Sequence, residues 1–414
     1  MRTSSDGPAP EIKRNKLLLA NLTFGHGVAH FYQQSFPVLL PNIVNDLGLG
    51  GLGVGALGTV RHFTALSVEM PGGFIVDMVK HRWGLILAGC IGLISAAWLV
   101  AGITTNFRAF LIAMVLIALP GTIWHLPAMA ALSQRMPQRR GLAISIHGMG
   151  GNLGNILGPL VAGILLGVFF LTWRQVAFLY ALPPVVVAGF FWVSLQSIGR
   201  HGPVATMGLK VRLRGALRLA ENPNVRALVV VAMLRGMGFD AITLFLPIYL
   251  ANELKMGAVM VGFHVALLSA LGTVAIPALG LASDKFGRRA VLLPGLVLMS
   301  MLTFALVNVG AGLTLTLVIA AMGIFYYSLS QVMRAAVLDL APQGAEATSY
   351  GLVFGSTQLV TAFSPLFAGT FQDWLGLRFV FYYAGVVIAF AALALVIGSL
   401  PGRSDERPLS KWAI

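Results

Sequence analysis

Twelve stretches of this 414-residue chain are each long and apolar enough to cross a lipid bilayer, which leaves very few folds open to it. A hydrocarbon core takes about 20 helical residues per crossing. Inside it every backbone N–H and C=O must be paired within the protein, so such stretches read as helices. The runs fall at about 17–43, 53–78, 83–104, 107–132, 141–168 and 174–198, then 226–251, 257–282, 290–309, 312–337, 350–372 and 378–400. Charged residues make up only 10% of the chain, against about 25% in soluble domains. The sequence therefore predicts an all-α integral membrane protein of twelve transmembrane helices.

The polar segments divide the twelve into halves. A cytoplasmic tail over 1–16 leads into a six-helix bundle over 17–198; a linker over 199–225 leads into a second bundle over 226–400 and a tail over 401–414. The chain is polar through Lys16 and then enters its first apolar run with no small-residue cleavage site, as an uncleaved first span does. With both termini inside, 21 of the 28 Lys and Arg residues fall on the cytoplasmic side. Only Arg108, Arg174, Lys255 and Arg378 fall opposite, and Arg61, Arg235 and Arg334 lie within spans. That bias is the positive-inside pattern. It accounts for the net charge of +14 without nucleic acid, because the charges alternate from loop to loop beside an anionic leaflet. The bilayer itself is thus the first partner. The lone Cys90 excludes an internal disulfide and a cysteine-based zinc site.

The halves are also copies. Gly73-Phe-Ile-Val-Asp77 precedes Lys80-His81-Arg82, and Gly280-Leu-Ala-Ser-Asp284 precedes Lys285-Phe-Gly287-Arg288-Arg289, 207 positions later. Asp46-Leu47 and Glu253-Leu254 keep the same offset. Duplicated helical units are how many transporters are built. Glycine lets a helix end pack closely, and the Asp carboxylate suits a neighbouring helix N-terminus. Two copies in register favour a charge latch over plain capping.

Six plus six spans with these loops resemble the major facilitator superfamily across nearly the whole chain. In span five, Gly154-Asn-Ile-Leu-Gly158-Pro159-Leu-Val-Ala-Gly163 is similar to the glycine-proline motif of that family's antiporters. Gly25-His26 through Tyr32-Gln33, Leu39-Leu40-Pro41, His125 with Pro127, and Arg139 through Gly154 resemble the fosmidomycin-resistance-type efflux branch. Where that branch has an acidic residue four positions after His26, this chain has His30, and the span-four arginine of many proton-driven members is missing. The resemblance implies two pseudo-symmetric bundles rocking about a central site in the inner membrane of a bacterium. It implies export, and gating by Gly73, Asp77, Arg82, Gly280, Asp284, Arg288, Arg289, Gly154, Gly158 and Pro159. It implies no cofactor, a monomer, and no enzymatic activity.

Ionisable groups at membrane depth usually face a cavity or a partner, since burying a charge costs about 2.5–3.5 kcal/mol on insertion scales. Asp240 near the middle of span seven, and Glu69, are candidate proton carriers, with His30 and His62 able to share that role. Arg61, Arg235 and Arg334 can grip an anion through parallel hydrogen bonds. Three such arginines against two intramembrane acids favour an anionic or zwitterionic substrate, and the resemblance to the efflux branch implies a small, anionic or amphiphilic drug-like solute. Arg235 stands five residues from Asp240, about 140° around the helix, which disfavours a plain pair within it. His26, His30, Tyr32, Gln33, Gln34, Trp124, His125, Tyr327 and Gln331 complete the candidate substrate set; His147 and His264 are the remaining histidines within spans. Packing is the simpler role for the aromatics. His26 and His30 with Asp240 also allow a divalent-metal carrier. Gly27 replaces the glutamate that a helical zinc protease needs, and neither a nucleophile elbow nor a phosphate loop is present. A receptor or scaffold would have no use for duplicated gating loops.

Overall fold

The computed structural model describes residues 8–196, 198, 221–340 and 355–398, without the side chains at 8–12, 69–71, 73–75, 77 and 80. Residues 1–7, the linker over 199–220, the C-terminal tail and the start of span eleven lie outside that set, as do the side-chain positions of Glu69, Gly73 and Asp77. Among the described residues every regular element is helical. The first half holds α1 (Pro8–Leu47), α2 (Gly51–Met78), α3 (Trp83–Ile103), α4 (Phe107–Arg135), α5 (Arg140–Gly167), α6 (Trp173–Ala181) and α7 (Pro183–Ser194). The second holds α8 (Pro223–Ile248), α9 (Ala258–Phe286), α10 (Arg288–Asn308), α11 (Leu313–Tyr326), α12 (Ser328–Asp339), α13 (Ser364–Leu375) and α14 (Leu377–Ile397). Nine helical stretches among the described residues are long and apolar enough to cross a membrane. With α1 and α2 (40 and 28 residues) and the run ending in α13, the count is consistent with twelve.

Several helices differ from the uninterrupted runs that hydropathy predicts. Span six breaks at Leu182, because Pro183-Pro184 cannot continue the ladder of α6 and instead open α7. Span ten breaks at Tyr327 between α11 and α12. After Pro247, span seven ends in a π-helical turn over Tyr249–Glu253. The first helix starts at Pro8, well before the apolar run. Helix starts carry the expected signals: Asn106 accepts from the Ala109 N–H at 3.0 Å, and Thr172 with Gln175 forms a capping box. The outward faces are apolar, as lipid requires: Val186, Val274, Trp374 and Ile397 are each at least 75% exposed.

The described residues gather into two compact units. One takes the chain up to Leu47, from Thr64 through α7, and Ala258–Ala266; the other takes Gly48–Phe63, the chain through Gly257, and everything from Leu267. The start of α2 thus belongs with the second half of the sequence, and the start of α9 with the first.

The first unit is built on a glycine seam. Gly150, Gly154 and Gly158 on α5 face Thr23, Gly27 and Phe31 on α1, both sets spaced by four residues. A Cβ at Gly154 would lie 2.8 Å from Phe31 N and 2.9 Å from His30 Cβ, so only glycine allows this approach. The start of α9 joins the same helix further on, where a Cβ at Gly163 would lie 3.2 Å from Gly262 Cα. In the second unit Gly51, Gly55 and Gly58 of α2 meet α13 in the same way. There the Asp373 carboxylate accepts from the N–H groups of Gly51 at 2.5 Å and Leu52 at 2.8 Å, capping α2 from another helix.

The duplicated acids each hold an arginine of their own unit. Asp46 pairs with Arg174 at 2.7 Å, and Glu253 pairs with Arg378 at 3.1 Å. Arg174 also donates to Thr104 O at 2.9 Å and lies 4.2 Å over the Trp173 ring, so it is fixed on three sides. Arg174→Ala is therefore expected to cost about 1–2 kcal/mol and Arg378→Ala under about 1 kcal/mol, since an exposed pair alone contributes little. Thermal melts of the two variants in detergent check the order.

Candidate functional site

Two constellations of ionisable groups form at membrane depth, one in each unit. In the second unit, Gly58 sets the geometry. A Cβ there would lie 2.7 Å from Pro365 Cβ and 2.8 Å from Leu244 Cδ2, so its absence lets α2 press against α8 and α13. One turn further on, His62 Nε2 reaches Asp240 Oδ2 at 3.2 Å. Both side chains keep some exposure, 21% and 26%, so the pair is not sealed in packing. Arg61 and Arg235 lie within electrostatic reach of the same carboxylate.

Arg235 does not pair with Asp240. It donates to Tyr326 O at 2.9 Å and Ser330 Oγ at 2.5 Å, and its guanidinium sits 4.0 Å over the Phe239 ring. Phe239 in turn stacks on Tyr326 at 4.7 Å, and the Tyr326 hydroxyl meets Thr243. These contacts hold the cation rigidly while its buried Nε has no hydrogen-bond partner. A fixed guanidinium with a donor to spare is suited to an anion.

In the first unit, the seam between α1 and α5 gathers histidines. His26 Nδ1 donates to His147 O at 2.7 Å, and the two rings stack at 4.2 Å. Gly151 makes the room, since a Cβ there would lie 2.7 Å from His26 Nε2. His125 of α4 meets His26 edge-on at 4.8 Å, and His30 joins at 4.5 Å with its Nδ1 2.8 Å from Asn155 Oδ1. His264 of α9 is bonded to its own helix at Met260 O.

The other candidates scatter. Tyr32 and Gln33 line a narrow crevice with Trp98, Ile117 and Gly121, and Tyr32 packs edge-on to Tyr180. Gln34 is half-buried, whereas Trp124 is fully buried against Phe191. Tyr327 is half-buried beside Tyr326, and Gln331 and Arg334 are exposed on α12. In the second loop motif Arg288 is the hub: it donates to Asp339 Oδ2 at 2.8 Å and Ser283 Oγ at 2.6 Å, and pairs with Asp284. Arg289 donates to Val396 O at 3.0 Å, and in the first motif Arg82 is exposed.

A family model for the Major Facilitator Superfamily matches residues 22–281 and 228–413. The chain belongs to that superfamily. It is a multi-pass membrane transporter, and the superfamily is not one of enzymes. Its relatives in that superfamily include the uncharacterized MFS-type transporter MJ1317 of Methanocaldococcus jannaschii, 22% identical over 93% of this chain and 95% of that one. The fosmidomycin resistance protein of Escherichia coli K12 is 21% identical over 66% of this chain and 67% of its own length. The multidrug resistance protein MdtG of Enterobacter lignolyticus is 26% identical over 94% and 93%. Among solved structures, a bacterial homologue of the human lysosomal transporter Spinster superposes with a TM-score of 0.76 at 16% identity, covering 93% of this chain and 95% of that one. The major facilitator fold expected from the loop motifs is the fold found.

Sequence reasoning reached many of the transporter's ionisable residues and few of their partners. His147, Asn155, Ser330 and Asp339 escaped notice as site residues. For His147 the signal was present: it lies three residues before the glycine run of α5, on a helix whose small residues announce a close neighbour. Ser330 and Asp339 carry no such mark.

Proposed function

We propose that this transporter exports a small anionic or amphiphilic organic solute across the plasma membrane by alternating access, in exchange for protons. It would work as a monomer with both termini cytoplasmic. The observation that carries this reading is the His62–Asp240 contact, 3.2 Å long, on two spanning helices with Arg61 and Arg235 in electrostatic reach. A proton added to or removed from such a cluster changes its net charge where screening is weak. The same step alters how strongly the arginines hold an anion, and that link is what exchange requires. Names of two relatives, a fosmidomycin resistance protein and a multidrug resistance protein, are in keeping with efflux of drug-like solutes. The Arg288 cluster with Asp284 and Asp339 would serve as a cytoplasmic latch that forms and breaks during the cycle.

Flux in proteoliposomes under an imposed pH gradient tests the whole reading, with the phosphonate fosmidomycin and an amphiphilic dye as probes. Gradient-driven counterflow of either is expected; none with any anion offered would sink it. Arg235→Ala is expected to weaken phosphonate binding by about 10- to 100-fold, the loss of one or two charge-assisted hydrogen bonds. Arg235→Lys should recover part of it. Binding by calorimetry that changes no more than in Arg407→Ala, a position in the C-terminal tail of the sequence, would remove Arg235 from the site.

A further inference from the structure

We infer that His26, His125 and His147 form a binding site for a divalent transition metal of the zinc type, with His30 beside it. One candidate nitrogen from each of the three residues lies within 4.8 Å of the other two, and the residues come from α1, α4 and α5 of a single compact unit. Tetrahedral zinc with Zn–N bonds of about 2.0–2.1 Å needs ligand atoms roughly 3.4 Å apart and each lone pair in its ring plane, so the His147 ring, stacked on His26 at 4.2 Å, turns out of the stack to close the set.

The second observation is the tautomer. The His147 carbonyl can only accept, so His26 carries its proton on Nδ1, and the Nε2 lone pair remains. That Nε2 is buried without any hydrogen-bond partner, on a side chain only 7% exposed. Metal-bound histidines are oriented in this way, with the second ring nitrogen donating to a backbone carbonyl or side-chain oxygen. His30 repeats the arrangement, its Nδ1 directed at Asn155 Oδ1. An apolar packing role would be met better by leucine or phenylalanine, which leave no nitrogen to satisfy. Imidazole nitrogen without thiolate or carboxylate selects Zn2+, Co2+, Ni2+ or Cu2+ over Mg2+ and Ca2+. Three histidines leave a fourth position for water or for His30.

The sequence alone pairs His26 and His30 with Asp240 for a metal. The site inferred from the structure uses α4 and α5 instead, and Asp240 is engaged by His62 in the other unit. The inference does not rest on the proposed export of an organic solute.

Tag-free, full-length protein in detergent tests it, with Zn2+ titrated by calorimetry and Co2+ by its visible absorption. One ion per chain is expected, with a tetrahedral cobalt spectrum. His125→Ala, on a half-buried side chain, should weaken Zn2+ at least 30-fold, and His26→Gln, which keeps polar bulk in the seam, should abolish it. His264→Ala should leave it unchanged. Zn2+ should also raise the melting temperature of the wild type but not of His26→Gln. Zn2+ affinity in His125→Ala and His26→Gln equal to wild type, or an octahedral cobalt spectrum in the wild type, would overturn the assignment.

Discussion

Asp240→Asn is expected to leave a transporter that still binds substrate and no longer responds to a pH gradient. Asparagine keeps the size and most of the hydrogen-bonding shape of aspartate, and its amide cannot take or release a proton near neutral pH. His62, 3.2 Å away, loses the only carboxylate it contacts among the described residues, and Arg61 and Arg235 lose a counter-charge in reach. The arginines therefore keep or gain affinity for an anion while the proton step is missing. Gradient-driven counterflow should fall by about 100-fold or more, equivalent to roughly 2.7 kcal/mol on the coupled step. Binding by calorimetry should change by less than about tenfold. Asp373→Asn is the matched control, since that carboxylate caps the start of α2 rather than facing the His62 cluster. A pH-sensitive dye inside the proteoliposomes reads the proton flux directly. Full coupling in Asp240→Asn would move the proton site elsewhere, with Glu69 the next residue to replace.

How much of this could be read from the sequence depends on the length scale of the signal. The spans were legible, because twenty apolar residues in a row are a local average that no tertiary detail can reverse; the membership of the compact units was not, since Gly48–Phe63 falls in one with the second half of the sequence and Ala258–Ala266 in the other. The 207-residue duplication was legible too, and it located Asp46 and Glu253 as equivalent positions. Their arginine partners were not assigned, although Arg174 and Arg378 stand in the only two arginine-bearing segments just before a last span of each half. Helix breaks divide by cause. Pro183-Pro184 marks the break in span six, whereas nothing in the sequence marks Tyr327 as the break in span ten. His62 and Asp240 were both singled out as ionisable groups, but on separate grounds. Their contact depends on α2 leaning against α8 at Gly58, and a lone glycine in a glycine-rich helix does not name its neighbour. His26 and His30 were paired by helical spacing, while the ring of His147 reaches them only through the crossing of α1 and α5.

That crossing sets up the other large effect. Gly154→Leu is expected to prevent the first unit from assembling. The added Cβ alone would stand 2.8 Å from the Phe31 amide nitrogen and 2.9 Å from His30 Cβ, and it would press closer still on the Gly27 carbonyl. Backbone atoms cannot rotate away as a long side chain can, so α1 and α5 must separate along the seam. Separation removes the packing at Gly150 and Gly158, where the same approach recurs one turn to either side. It also pulls His26 from His147, because the 2.7 Å hydrogen bond between them spans the same two helices. Overpacking a well-filled interior costs about 1–3 kcal/mol when side chains can adjust; here three close backbone approaches are lost together, and the cost exceeds that range. Gly148→Leu supplies the control, since a Cβ at Gly148 meets nothing within 4 Å on the same helix. Monodisperse yield on size-exclusion chromatography should fall at least tenfold for Gly154→Leu and stay near wild type for Gly148→Leu, with Gly154→Ala between them. Equal yields would mean that α1 and α5 are held by their outer contacts rather than by the seam, and the histidine cluster would then lose the rigid frame that positions it.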